Sequence, residues 1–353
     1  MRISIGRILL IMFPAIVMTG VLCSCLSSKS ENKRSPLPPI TVNMKTKAAE
    51  LKKILFPGCR EFGVFITYNT IELYDQEPEA LGERLALLGV TDVYFDFDIK
   101  LLKQADFTKK LHGIVNELRR RGIRCSPVIE DEPLYQPNHS RNGTAAIEKV
   151  VGEIKSFNRR ASDQQEFTGI TPVISPHRVS SSNINIKNGM IYSWSENTYG
   201  KNGENDMIMK QSLNILEDIK KEAAPLPLSI IIEHYYHGRA VKGDLSCGTI
   251  NDFLKYGDHV ILTSYAKYSN EIKGLVLNQL KDCNKADSVV LCLRTARTIY
   301  GDDSESVSFT RKKWKQFISD LSALVQTTSK YKSFHGIAFR EFEGLELQWE
   351  KVE

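Results

Sequence analysis

The sequence alternates short apolar runs with longer amphipathic segments, and this alternation restricts the fold more than any other feature. Eight runs have the character of strands: 62–68, 92–97, 124–129, 167–174, 228–234, 258–264, 288–293 and 335–339. Seven segments between them carry apolar residues at helical spacing: 78–88, 107–121, 145–159, 206–221, 250–256, 271–282 and 310–327. Strands that alternate with helices form a parallel sheet. Because the strands number eight, we predict an α/β fold of the (β/α)8 TIM-barrel type.

An open, doubly wound sheet would give the same local pattern. We favour the barrel because no GxGxxG motif opens the first unit, and we predict no cofactor. Two long polar segments with aromatic residues, 130–143 and 177–205, follow the third and fourth strands. In a barrel both would lie at the C-terminal face, where binding sites are built. The last ten residues, GLELQWEKVE, are too few to establish an eighth helix.

The N-terminal segment has the composition of an export signal. MRISIGR carries two arginines and no acid, and the apolar stretch ILLIMFPAIVMTGVL follows it. The next residues, Leu22-Cys23-Ser24-Cys25, resemble the lipobox of bacterial lipoproteins, in which a cysteine after a small residue is lipidated. The resemblance implies that residues 1–24 are a signal peptide and that Cys25 carries the lipid. A transmembrane anchor is the alternative, but Pro14 interrupts a span that is short for a bilayer.

Residues 25–44 are polar and rich in serine, lysine and proline, which predicts a flexible tether before a barrel domain at 45–353. Acyl chains would then hold the protein to a membrane of the bacterial cell envelope, on its periplasmic or outer surface. The net charge of +5 is mild, and no long basic run is interleaved with aromatics, so we predict no nucleic-acid partner. Beyond residue 25 the cysteines are odd in number and form no CxxC, so neither a disulfide framework nor a structural zinc site is indicated.

Several strand ends resemble those of glycoside hydrolases with chitinase-like barrels. The resemblance rests on FTGI in the fourth run, DHVILTSYAKYSNEI in the sixth and FHGIAFREFEGL in the eighth, and it covers most of residues 60–347. It implies a saccharide as the partner. In that family the fourth strand ends in Asp-x-Glu, whereas here Val173 and Ser175 occupy the two acidic positions. A serine cannot protonate a glycosidic oxygen at neutral pH, so either other carboxylates act or the barrel binds without cutting.

Carboxylates at other strand ends are the candidate catalytic groups. Strand alternation places Asp96 and Asp98 on the barrel side of the second strand, with Asp98 nearer the mouth. Asp98 is therefore a catalytic candidate, and its alternative role is to cap the next helix. Glu130 and Glu132 belong to three adjacent acids after the third strand, where mutual repulsion would raise the pKa of a partly buried member. A solvated loop is the alternative there.

Glu233 ends the fifth strand and is the remaining catalytic candidate. Arg294 and Arg340 end the seventh and eighth strands and would clamp an acidic sugar or pair with acids of the mouth. The other predicted substrate-binding residues are rings that suit the apolar faces of sugars: Tyr68, His177, Trp194, His234, Tyr235 and Tyr265. Core packing is the alternative for the tyrosines.

Three functional hypotheses follow. The first is a cell-surface glycoside hydrolase with Glu132 or Glu130 as the acid and Glu233 or Asp98 as the base or nucleophile. The second is a non-catalytic barrel that binds a saccharide or a surface partner. The third is a metal-dependent hydrolase that uses His177, His234 and His237, but no HExxH frame supports it and we predict no metal site.

Overall fold

The computed structural model describes residues 38–130, 144–162, 164–178, 194–295, 307–311 and 313–351. Its strands are β1 Glu61–Thr67, β2 Asp92–Asp96, β3 Arg124–Ile129, β4 Thr171–Ile174, β5 Ser229–Glu233, β6 His259–Thr263, β7 Val289–Leu293 and β8 Phe334–Phe339. Each strand pairs in parallel with the next, and β8 pairs with β1, so the sheet closes into an eight-stranded barrel. The predicted (β/α)8 barrel is confirmed, and each predicted run overlaps a strand.

Helices surround the sheet. They are α1 Val42–Leu55, α2 Tyr68–Leu73, α3 Pro78–Leu88, α4 Ala105–Arg120, α5 Thr144–Arg160, α6 Glu204–Ala223, α7 Tyr235–Val241, α8 Ile250–Leu254, α9 Ser269–Asp282, α10 Trp314–Thr328 and α11 Phe342–Glu350. Short 3-10 helices span Ile99–Lys103 and Pro176–Arg178. The seven predicted segments correspond to α3–α6 and α8–α10. The chain also forms α1, α2 and α7, which were not predicted, and α11, which had been left open.

The barrel interior is filled by inward-facing side chains of the strands. Its apolar cluster contains Phe65, Tyr94, Val128, Ile231, Ile261, Val290, Cys292 and Ala338, with Val173 and Tyr265 packed against them. Residues two positions apart on a strand point to the same face of the sheet. Asp96 therefore points into the barrel as Tyr94 does, but lies nearer the C-terminal mouth. The predicted facing of β2 is confirmed, since Phe95 and Phe97 pack outward against aromatic rings of the surrounding layer.

The N-terminal helix packs against the C-terminal one. The Trp349 indole in α11 donates to the carbonyl oxygen of Met44 at 2.6 Å, and Lys47 donates to the carbonyl oxygen of Lys351 at 2.6 Å. Helix α1 therefore belongs to the folded unit, which spans Ile40–Glu353, and it begins three residues before the predicted boundary at residue 45. Within the described ranges, no helix is both long and apolar enough to cross a bilayer. The predicted signal segment and Cys25 lie outside the described residues.

Candidate active site

A cavity of about 510 Å³ opens at the C-terminal mouth of the barrel. The end of every strand contributes to its lining, from Thr67 at the end of β1 to Arg340 and Glu341 after β8. This convergence follows from the closed parallel sheet, which brings eight carboxyl ends to one rim. The charged lining consists of four acids, Asp96, Glu130, Glu233 and Glu341, and three arginines, Arg178, Arg294 and Arg340.

Three of the four acids are paired with the three arginines. The pairs are Arg340 with Asp96 at 2.6 Å, Arg294 with Glu341 at 3.2 Å, and Arg178 with Glu130. The third pair is the most exposed, at 62% for the arginine side chain and 38% for the acid. Burial raises the pKa of Asp96, and the charge of Arg340 opposes this rise. The mouth is therefore strongly polar, and most of its charges are balanced by a partner of opposite sign.

Glu233 is the mouth acid without a cationic partner among the described residues. It ends β5 on the same face as Ile231, which lies in the barrel interior. Its carboxylate accepts a hydrogen bond from the Thr263 hydroxyl of β6 at 2.5 Å. That bond comes from a neighbouring strand, so the barrel itself fixes the carboxylate against the cavity. The geometry leaves Glu233 available to a ligand.

A cluster of rings adjoins Glu233. The His177 ring hydrogen-bonds with the Tyr236 hydroxyl, and Trp194 packs edge-on against Tyr236 with centroids 5.9 Å apart. Tyr235 contacts both His177 and His234 edge-on, at 5.9 and 5.6 Å. Rings in such contacts offer apolar faces and polar edges side by side, which suits a sugar.

The two histidines of this cluster are held neutral. Burial lowers the pKa of His177, and the nearby charge of Glu233 only partly offsets the effect. Burial also lowers the pKa of His234, whose Nδ1 donates to the carbonyl oxygen of Thr263 at 3.2 Å. At neutral pH both imidazoles are uncharged and can exchange hydrogen bonds with hydroxyl groups.

The structure brings most of the sequence-predicted site residues to the mouth cavity or to the ring cluster beside it. The cavity is lined by Glu130, Glu233, Tyr265, Arg294 and Arg340, and the adjoining ring cluster contains His177, Trp194, His234 and Tyr235. Tyr68 is 42% exposed and stacks on Phe107 instead of lining the cavity. Glu132 lies outside the described residues.

Asp98 does not line the mouth cavity, because β2 ends at Asp96. The Asp98 carboxylate accepts from the backbone N–H of Lys100 at 2.9 Å and caps the 3-10 helix that follows. It borders a separate groove of about 670 Å³ against α5. Alternation placed Asp96 on the cavity side, but it does not reveal where the strand ends, and Asp98 lies beyond that end.

The fourth strand brings no carboxylate to the mouth. Val173 and Ser175 both line the cavity, at the positions where the resemblance to chitinase-like barrels would put the acidic pair. The third hypothesis gains no support either. His237 is buried, lies 3.2 Å from Asp282 and accepts from the backbone N–H of Ile250, so it is engaged away from the mouth. In the described part of the chain, the mouth histidines form no metal-ligand group.

The barrel is similar in fold to solved glycoside hydrolases. A GH18 chitinase from Pseudoalteromonas aurantia matches with a TM-score of 0.52 and 10% identity, over 82% of this chain and 97% of that one. A GH5_18 protein from Streptomyces cattleya in complex with GlcNAc matches at 10% identity and a TM-score of 0.49, over 80% and 70% of the two chains. A GH18 chitinase from Cycas revoluta in complex with (GlcNAc)4 matches at 10% identity and 0.46, over 82% and 97%. No protein-family model and no curated protein sequence matches the chain.

Proposed function

We propose that this chain is a glycoside hydrolase-like lipoprotein that acts on a saccharide at the bacterial cell envelope. The observation that carries the proposal is Glu233, an acid without a cationic partner in the described part of the mouth, fixed by Thr263 and bordered by a ring cluster. The cavity volume of about 510 Å³ suits a small ligand or a short stretch of a glycan. The fold likeness to a GH18 chitinase is in keeping with this reading.

Glycoside hydrolysis needs a proton donor for the leaving oxygen and a second carboxylate that meets the developing positive charge. We assign the second role to Glu233. Asp96 is our proton donor, because burial raises its pKa and a general acid works best when its pKa approaches the working pH. Glu130, which the sequence also suggested, lines the same cavity and is the alternative donor.

The ring cluster would hold the sugar. Trp194 and Tyr235 supply apolar surface for the C–H face of a ring, while the neutral imidazoles of His177 and His234 exchange hydrogen bonds with its hydroxyls. Because the similar structure from Pseudoalteromonas aurantia is a chitinase, chito-oligosaccharides are the first ligands to test.

The test pairs calorimetry with product analysis on a glycan panel. We expect Glu233→Gln to bind the same glycan as the parent but to cleave it about 10²- to 10⁴-fold more slowly, since the variant keeps the shape and loses the charge. Glu217→Gln is the matched control, because Glu217 is exposed on α6 and pairs with Lys221 far from the strand ends. Cleavage by Glu233→Gln at the parental rate would refute the assignment.

The alternative is a barrel that binds a saccharide without cutting it. Val173 and Ser175 favour it, because they leave the fourth strand without the acids that the resembled family carries there. In that case calorimetry gives binding for the parent and for Glu233→Gln alike, and no product forms with either.

A further inference from the structure

The opposite pole of the barrel brings together a carboxylate and two imidazoles. Glu61 begins β1, His259 begins β6 and His335 lies near the start of β8. One ligand atom from each of the three lies within 4.8 Å of the others. Glu61 and His335 are 1% and 8% exposed, and His259 is half-buried, so the group borders solvent on one side. We name these three residues the floor cluster.

Strand geometry aims all three side chains at this point. Glu61 and His259 share the interior face with Phe65 and Ile261, which lie further along the same strands. Regular alternation from Ala338 would turn His335 outward. However, the pairing of β7 with β8 passes from Val289↔Phe334 to Val290↔Gly336, so His335 is an extra, bulged residue. A β-bulge redirects side chains, and the His335 ring stacks on that of His259 with centroids 4.3 Å apart.

His335 is buried without a hydrogen bond among the described residues. Neither of its ring nitrogens has a partner there, although Nε2 lies 3.6 Å from Oε2 of Glu61. Burying an imidazole in this way is unfavourable, because its lone pair and its N–H lose their bonds to water. A cation between Nε2 and the carboxylate would satisfy both groups.

The surrounding charges leave one carboxylate oxygen for such a cation. Asp92 binds Arg124 in bidentate fashion, at 2.6 and 2.7 Å. Nη2 of Arg124 also lies 4.0 Å from Oε2 of Glu61, which is beyond hydrogen-bond distance. The Tyr94 hydroxyl donates to Oε1 of Glu61, which orients the carboxylate as an outer-shell partner does in metal sites. Oε2 therefore faces His335.

We propose that Glu61, His259 and His335 bind a zinc ion at the barrel floor. Two imidazoles and one carboxylate form a zinc ligand set, and the half-buried side of His259 leaves a fourth position for water. Tetrahedral coordination with bonds of about 2.0–2.1 Å requires ligand atoms about 3.3 Å apart, so the side chains close in on the ion from their present separation. The ion links β1, β6 and β8 far from the mouth cavity and stabilises the barrel.

The test uses the purified full-length chain, stripped of metal with a chelator and titrated with Zn²⁺ or Co²⁺ alone. We expect about one equivalent to bind, a rise in melting temperature with Zn²⁺, and a visible Co²⁺ spectrum of tetrahedral nitrogen and oxygen ligation. His335→Gln and His259→Gln should each weaken Zn²⁺ binding by about 100-fold or more. His234→Gln, which changes a histidine of the mouth, is the matched control and should bind Zn²⁺ as the parent does.

Three results would overturn the site. They are the absence of stoichiometric binding to the parent chain, a Co²⁺ spectrum with the charge-transfer band of a thiolate ligand, and loss of binding in His234→Gln with retention in His335→Gln. The parental Co²⁺ spectrum decides the matter even if a floor variant fails to fold. None of these measurements depends on saccharide cleavage. A failure of the zinc site would therefore leave the proposed function untouched, and the reverse also holds.

Discussion

At the scale of single residues, the mouth depends on how Arg340 holds Asp96. The guanidinium lies 2.6 Å from the carboxylate and over the Phe65 ring, 4.7 Å from its centroid. In Arg340→Ala, the half-buried Asp96 would lose its counter-charge, so its folded-state pKa would rise further. An acid whose folded pKa exceeds the unfolded one destabilises the protein as pH rises above the unfolded value.

We therefore expect Arg340→Ala to lose little stability near pH 4 and about 2 to 3 kcal/mol at neutral pH. Urea unfolding of parent and variant at both pH values measures the difference. Arg178→Ala is the control, because its pair with Glu130 is largely solvent-exposed and should cost less than about 1 kcal/mol at either pH. An equal loss for Arg340→Ala at both pH values would contradict the account.

The residues of the mouth cavity could be predicted from the sequence to a greater extent than those of the floor cluster. Alternation along a strand was enough to direct Arg294, Arg340 and Asp96 to the interior, since the period of two is a local property. The choice of Asp98 over Asp96 was wrong for the cavity because it required the last residue of β2, which hydrogen bonds to β1 and β3 determine.

The floor cluster could not be predicted at all. Its members are separated along the sequence by some 75 to 270 residues, and no motif in the sequence connects them. His335 in particular is on the wrong face by alternation, and only the bulge opposite Val289 and Val290 brings it to Glu61. A bulge arises from the pairing of two strands and has no signature in one of them.

At the scale of elements, the closure between β1 and β8 depends on Gly336. A Cβ atom at this position would lie 2.0 Å from the carbonyl oxygen of Glu61, which is backbone and cannot rotate away. We expect Gly336→Ala to lower the free energy of unfolding by about 3 kcal/mol or more, because the two strands must separate. Thermal and urea unfolding of the variant measure this.

Gly113→Ala is the matched control for this substitution. Gly113 lies inside α4, and a Cβ atom there would meet nothing within 4 Å. Alanine has a higher helix propensity than glycine, so the control should gain up to about 1 kcal/mol. If both variants lose stability to the same extent, the close approach of β1 and β8 is not the cause.

The elements that were predicted are those with a long, regular period. Helix α3 was predicted to the residue, from Pro78 to Leu88, since proline suits a first turn and Gly89 ends it with φ of 86°. Helix α7 was missed because it starts directly after the fifth predicted strand and its seven residues are too few to show a period. Tertiary contacts, such as Tyr236 with His177, stabilise it instead.

At the scale of the whole molecule, the count of eight runs favoured a closed sheet, while each run alone suited an open sheet as well. What decides closure is the pairing of the first strand with the last, over Glu61–Val64 and Gly336–Phe339. The glycines at Gly63 and Gly336 allow these backbones and the Tyr94 ring to come close. Glycines in two strands that are distant in the sequence do not predict barrel closure, because their role depends on the two strands being neighbours.

The proposed lipid on Cys25 would hold the folded unit at a membrane. Cys25 lies fifteen positions before Ile40, where the compact unit begins, and a chain of that length spans at most about 50 Å. A lipid on Cys25 would therefore be attached outside the compact unit. We expect cells to incorporate a labelled fatty acid into the parent and into Cys23→Ser, but not into Cys25→Ser, since only Cys25 follows a small residue.

The barrel domain, released by cleavage between Cys25 and Ile40, should melt at the same temperature as the parent, because α1 and its contacts with α11 remain intact. Label in Cys25→Ser equal to that of the parent would refute the anchor at Cys25 and would favour Cys23 or a segment that spans the bilayer.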